Sequence, residues 1–388
     1  MGTTAQKLKK LLDNKRAIRD AITEKTGEDA GDVMSTYAEK ILDIEGGGSK
    51  YFRTTILLDQ TITDPATMIT KVYDDGGINQ IRLNSHRYVC KLVDGVMEAK
   101  QLQDNNGTLY LDGTAADLTG AEGDVMMKLP EFYYRATEQE TDKWLIDFVY
   151  GEMPDESYKV WDGKDFVGVY EGYVADQKLY SISGKPPHAS VANLSSFQNM
   201  ARNRGDGYTC LKWKHHSIMV FLFYAQYLNT NSQECIGYGS WSTSSKSGDT
   251  NLLGMEDTIK NISGEQFTNF WGLERWIDNF SEIIENVYYN NGFCVDGMII
   301  PNVSIDSSDY ISKLTIGENL DAACKSVGGT ETTGFCDYWT FSSDGPNDLI
   351  TRAGGYSEGC GIVSIASLQS EPYITSRLAY RGEYEIIG

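Results

Sequence analysis

The run Ile218 to Tyr224, reading IMVFLFY, limits the possible folds more than any other part of the chain. Wound as a helix, such a run is apolar on every side and has no face to turn to water. The surrounding segment, Trp213 to Leu228, is therefore expected to be a helix enclosed by other elements, and the core of the fold. A chain of 388 residues is long enough to supply that enclosure in two or three domains.

The remaining segments suggest what surrounds it. From Tyr51 to about Ser183 the pattern is one of short β-prone runs: Phe52 to Leu58, Val125 to Leu129, Phe132 to Tyr134, Trp144 to Tyr150 and Phe166 to Tyr170. Asp, Gly and Asn turns such as Asp74-Asp75-Gly76-Gly77 and Asn105-Asn106-Gly107 separate them. Further helices are expected over Val191 to Arg204, stopped by Gly205, and over Gln266 to Val287, which places Phe267, Trp271, Trp276, Ile277 and Phe280 among acids. The last hundred residues return to short strands and Gly/Ser/Asp-rich loops. Helices packed on an irregular antiparallel sheet predict an α+β fold.

The N-terminus differs. Leu8, Leu11, Leu12, Ile18 and Ile22 recur at helical steps, and a second short helix opens at Asp32 with Val33, Tyr37, Ile41 and Ile44 on one side. Two such helices bury little alone, and Gly46-Gly47-Gly48-Ser49 follows them as a flexible joint. The expected organisation is a helical attachment segment (1–48), a β-rich spacer or assembly domain (49–121) and a ligand-binding domain (122–388).

A net charge of −21 with no opposing Lys/Arg run argues against nucleic acid and anionic lipid as partners. No stretch approaches a membrane span, and residues 1–10 lack the layout of a signal peptide, so synthesis in a cytoplasm is expected. The seven Cys are scattered, odd in number and never spaced CxxC; buried free thiols are the expectation. The aromatic and Gly content, with 24 Tyr and 39 Gly, suits a recognition surface and equally a Tyr-rich β core.

Chemical motifs are weak. Gly355-Tyr356-Ser357-Glu358-Gly359 fits a hydrolase nucleophile elbow, but His86, His188, His215 and His216 all precede it and a strand-like segment follows it. The adjacent His215 and His216 point about 100° apart on a helix and cannot share a metal. Pairs such as Asp74-Asp75 and Asp155-Glu156 read as solvated loop charges, while Asp337, Asp344 and Asp348 could hold calcium only from loops without EF-hand spacing. No catalytic group, metal or cofactor is expected. Between Cys336 and Arg381 the mixture of Tyr338, Trp339, Tyr356, Tyr373 and Tyr380 with Ser, Asp and Gly is like that of a paratope. Trp339 is expected in the core; Tyr356, Ser357, Glu358 and Tyr373 are expected at the surface.

Three stretches together carry a family resemblance: Phe197 to Tyr208 (FQNMARNRGDGY), Asn269 to Asp278 (NFWGLERWID), and Arg352 to Gly361 (RAGGYSEGCG) ending in Ser376 to Gly382 (SRLAYRG). They resemble the C-type-lectin-like domain of the formylglycine-generating-enzyme subclass, as used in phage tail proteins and in the variable proteins of diversity-generating retroelements. Glu122 to Tyr134 is similar to the entry of such tail domains. The resemblance implies a homotrimeric virion protein of the phage tail, assembled in the host cytoplasm. In it, residues 1–48 would dock on other tail proteins and the C-terminal segment would contact a host glycan or protein. Carried onto this chain, the contacts would be Tyr356, Ser357, Glu358, Ser364, Ser367, Gln369, Glu371 and Tyr373. Cys336 and Cys360 lack the surroundings of the sulfatase-activating enzymes, so oxidase activity is not implied, and Asn, frequent at diversified positions, is absent from 348–388. The expected function is receptor binding; a purely structural tail or decoration protein is the alternative, and a polysaccharide depolymerase acting through carboxylates a third.

Overall fold

A computed structural model of the chain describes residues 50–188, 193–237, 246–255, 259–260, 266–277, 280–341, 349–352, 361–368 and 374–388. The chain divides into two units, Met1–Phe52 and Arg53–Gly388. The expected N-terminal helices and the glycine joint lie outside the described residues.

The helix expected from the apolar run is present as Trp213–Tyr227 and is buried almost throughout, with Phe221, Leu222, Phe223 and Tyr224 fully inaccessible. Each such side chain contributes about 1.5–3 kcal/mol relative to exposure. What encloses it is sheet. The described residues form twenty-nine strands and only four α-helices: α1 Gly77–Leu83, α2 Leu194–Arg202, α3 Trp213–Tyr227 and α4 Ser232–Ile236. The α+β expectation is thereby overturned in favour of a strand-dominated architecture.

The correction has a local cause. In place of a helix, the stretch 266–287 forms the strand pieces Gln266–Phe267, Asn269–Phe270, Leu273–Glu274 and Ser281–Ile283. Trp271, Gly272 and Arg275 stand at φ 50°, 79° and 53°, left-handed conformations that no α-helix contains. Trp271, Trp276 and Ile277, expected in a helix among acids, are instead fully buried in one hydrophobic core. The five β-prone runs of the 51–183 region do form strands, while Gly76-Gly77, expected as a turn, opens α1.

Three sheets carry the unit. A five-stranded sheet is bounded by the edge strands Ile69–Asp74 and Lys159–Trp161. An eight-stranded sheet runs, in order, through Tyr208–Cys210, Leu378–Arg381, Asp165–Gly168, Asp124–Lys128, His86–Val93, Val96–Gln103 and Tyr384–Ile387, with Asn106–Tyr110 paired to Val96–Gln103. Strands on both sides of position 121 therefore share this sheet, and the chain end closes it by pairing parallel to Val96–Gln103. A seven-stranded sheet gathers segments from 281 to 376. Its interior includes Trp339, fully buried as expected, stacked on Phe341. Six free cysteines are described; Cys90, Cys210, Cys294, Cys324 and Cys336 are buried and Cys235 is half-buried.

Candidate functional site

Sheet register builds a cavity of about 300 Å³ with a charged wall. Asp165 and Arg381 face each other directly across adjacent antiparallel strands, the arrangement in which opposite charges meet. An Arg381 guanidinium nitrogen donates to Asp165 Oδ2 at 2.6 Å, and the same guanidinium bonds Asp162. From the first turn of α3, Lys214 Nζ donates to the same Asp165 oxygen at 2.6 Å. His215 Nε2 lies 3.3 Å from the other oxygen.

The state of His215 follows from its second nitrogen. Nδ1 accepts the Lys212 backbone N–H at 3.1 Å, so in the neutral ring the proton sits on Nε2 and points to Asp165. Burial, against the opposing pull of Asp165, holds its basicity below that of an ordinary imidazole. For Asp165, burial alone would raise the carboxyl; the close approach of His215 and the Lys214 ammonium outweigh it and hold the group well below the usual carboxylate range. The sign of the linkage is that of a depressed acid. Its stabilisation is complete above the unfolded pKa of about 3.9 and is lost as pH falls further. Thermal melts from pH 7 to pH 2.5 are expected to show Asp165→Asn less stable than wild type at pH 7 and with a flatter acid limb. A parallel acid limb in the variant would contradict this.

The opposite wall comes from distant sequence. Phe293–Val295 and Met298–Ile299 form a hairpin through a two-residue Asp296-Gly297 turn in which both residues have positive φ, 49° and 84°. It contributes Met298, 62% exposed, to the cavity lining, which also includes the edge-strand residue Val160. The floor holds Tyr134 and Asp321, both more than nine-tenths buried. Asp321 Oδ1 accepts the Trp213 indole N–H at 3.0 Å; its other oxygen and the Tyr134 hydroxyl have no hydrogen-bond partner among the described residues. Burial pushes both groups up from their ordinary values, Asp296 adding to the effect on Asp321 and Asp321 to that on Tyr134.

Tyr356, Ser357, Glu358, Gln369, Glu371 and Tyr373 fall outside the described residues, as do Asp344, Asp348, Cys360 and the Gly355–Gly359 motif. Ser364 is buried, its hydroxyl accepting the Gly361 N–H at 2.9 Å. The Ser367 backbone pairs opposite Ile350 in the strand Ile365–Leu368. The turn leading into that strand is held by Asp337, which accepts the Val363 N–H at 2.8 Å, and by Ser232, which accepts the Ile362 N–H at 3.0 Å. Asp337 is thus a buried carboxyl engaged by backbone, and among the described residues no group of three or more His, Cys, Asp or Glu could hold a metal ion. His216 is buried against the Trp213 ring at 5.2 Å between centroids, apart from the Asp165 network.

Sequence reasoning missed the cavity. Its one local signal is the Trp161-Asp162-Gly163-Lys164-Asp165 cluster, which places charges within a strand-forming stretch. Among the described residues no helix is long and apolar enough to cross a membrane. No family model and no curated protein matches the sequence.

Proposed function

We propose that the protein is a host-recognition protein of a phage tail, acting by binding rather than by catalysis. The observation that carries this reading is the preorganised cavity. Its charged wall is locked by Asp165, Lys214, Arg381 and His215, and its floor holds unused polar atoms on Tyr134 and Asp321. A ligand meets groups whose ordering cost is already met by the fold. Such a concave, partly apolar site with a few fixed polar groups is the usual form of a small-ligand site. The assignment to a tail rests on the sequence resemblance, which also suggests attachment through residues 1–48 to other tail proteins and a homotrimer. Several copies on one particle would convert modest single-site affinity into firm attachment.

A structural tail or decoration role is the second reading. Val72 and Tyr73, 57% and 44% exposed on a strand that is at the edge of its sheet among the described residues, favour it, because exposed apolar side chains on an edge strand suit a protein contact.

Labelled full-length protein is expected to bind saturably to intact bacteria of a susceptible strain. A rim variant, Met298→Glu/Asn319→Ala, and a C-terminal variant, Tyr356→Ala/Tyr373→Ala, locate the surface: at least one should weaken binding about tenfold while melting like wild type. No binding to any strain tested, with retention on purified tail particles, would establish the structural role instead.

A further inference from the structure

We infer that the cavity between the edge strand Lys159–Trp161 and the hairpin at Met298 is a subsite for a non-acidic, hydroxyl-rich saccharide. The inference rests on the receptor-binding reading and names the ligand class of that site. Three features lead to it. First, both cations of the lining, Lys214 and Arg381, are engaged by Asp165, and Arg381 also by Asp162. An incoming carboxylate or phosphate therefore finds no unpaired positive group among the lining residues. It meets instead the carboxylates of Asp296 and Asp321, within a chain whose net charge is −21.

Second, the unused polar atoms suit hydroxyls. The Tyr134 hydroxyl can donate and accept, the open Asp321 oxygen accepts, and the exposed Asn319 amide at the mouth does both. A sugar ring presents that mixture of donors and acceptors around its edge. Third, Val160 and Met298 give the mouth two exposed apolar side chains for the C–H face of a ring, and about 300 Å³ is at the small end of the range for small-molecule sites.

The test is calorimetric titration of the full chain with a panel of uncharged and amine-bearing trisaccharides of glucose, mannose, galactose, glucosamine and N-acetylglucosamine, against trigalacturonic acid as the acidic counterpart. At least one non-acidic member is expected to bind with unit stoichiometry per chain, and trigalacturonic acid at least tenfold more weakly. Tyr134→Phe, which removes only the hydroxyl, should weaken binding about fivefold. Met298→Glu, at an exposed position where folding is insensitive, should weaken it further and keeps the test valid if Tyr134→Phe is less stable. Binding of the acidic sugar alone, binding that ignores both substitutions, or no binding across the panel would overturn the inference. If cell binding persists in those cases, the receptor-binding reading stands and only the saccharide assignment fails; loss of both removes the reading itself.

Discussion

Glu282→Gln is expected to destabilise the unit by about 3–5 kcal/mol, read as a lower urea midpoint with an unchanged slope. Glu282 is shared by two fully buried guanidiniums, those of Arg352 and Arg377. One oxygen pairs with Arg352, and the other accepts Arg377 Nε at 2.8 Å. The rest of the Arg377 fork donates to the carbonyls of Gly168 at 3.0 Å, Val169 at 2.7 Å and Glu274 at 3.1 Å. Arg352 lies over the Trp276 ring at 3.9 Å. Burial pushes the Arg352 guanidinium down to about 10, with Glu282 opposing the shift. An isosteric amide keeps the volume and removes the charge, so the loss measures two guanidiniums left in a dry interior without their directly bonded counter-charge, with Glu171 the further carboxylate acting on Arg352. Replacement of all three residues by apolar ones of like volume should cost far less, since the pair as a whole contributes little net stability. An effect under about 1 kcal/mol for Glu282→Gln would show that water or another anion reaches the cluster. Residues from the strands Leu349–Arg352, Ser281–Ile283 and Ile374–Ser376 meet at or beside this triad, so the seven-stranded sheet should report its loss first.

Phe223→Ala should be comparably severe, about 3–5 kcal/mol, because truncating a buried ring forfeits its transfer energy and leaves a cavity. Phe223 is inaccessible in the middle of α3, with Tyr227, Phe270 and Tyr224 rings at 4.5, 5.3 and 6.2 Å. Phe223→Leu, nearer in volume and still apolar, should cost less than Phe223→Ala. Denaturant midpoints of the two variants give the comparison, and equal losses would mean that the ring contacts matter less than the helix position itself.

The helix was readable because an apolar run is a local signal: seven adjacent side chains, Ile218 to Tyr224, carry it, and burial on every side follows from them alone. Strands such as Phe132–Glu140 and Lys143–Gly151 were readable for the same reason, through β-prone runs between turn residues. The stretch 266–287 was misread because its aromatics happen to fall at helical spacing. Their burial comes from tertiary contact, and the positive φ of Trp271, Gly272 and Arg275 is a backbone choice that periodicity does not encode. That misreading is one part of the α+β expectation that the structure overturned.

What the sequence determined by itself is therefore the set of local elements: the enclosed helix, the strand-rich region, the absence of any basic surface run, and the burial of Trp339. What only the tertiary structure decided is which charges meet. Asp165 finds Lys214 across 49 positions and Arg381 across 216, Trp213 finds Asp321 across 108, and Glu282 finds Arg377 across 95. Ion pairs and hydrogen bonds act over a few ångströms of space and leave no period in the chain. The cavity and the buried triad thus follow from sheet register and from the closure of the C-terminal strands onto the sheet, not from any motif.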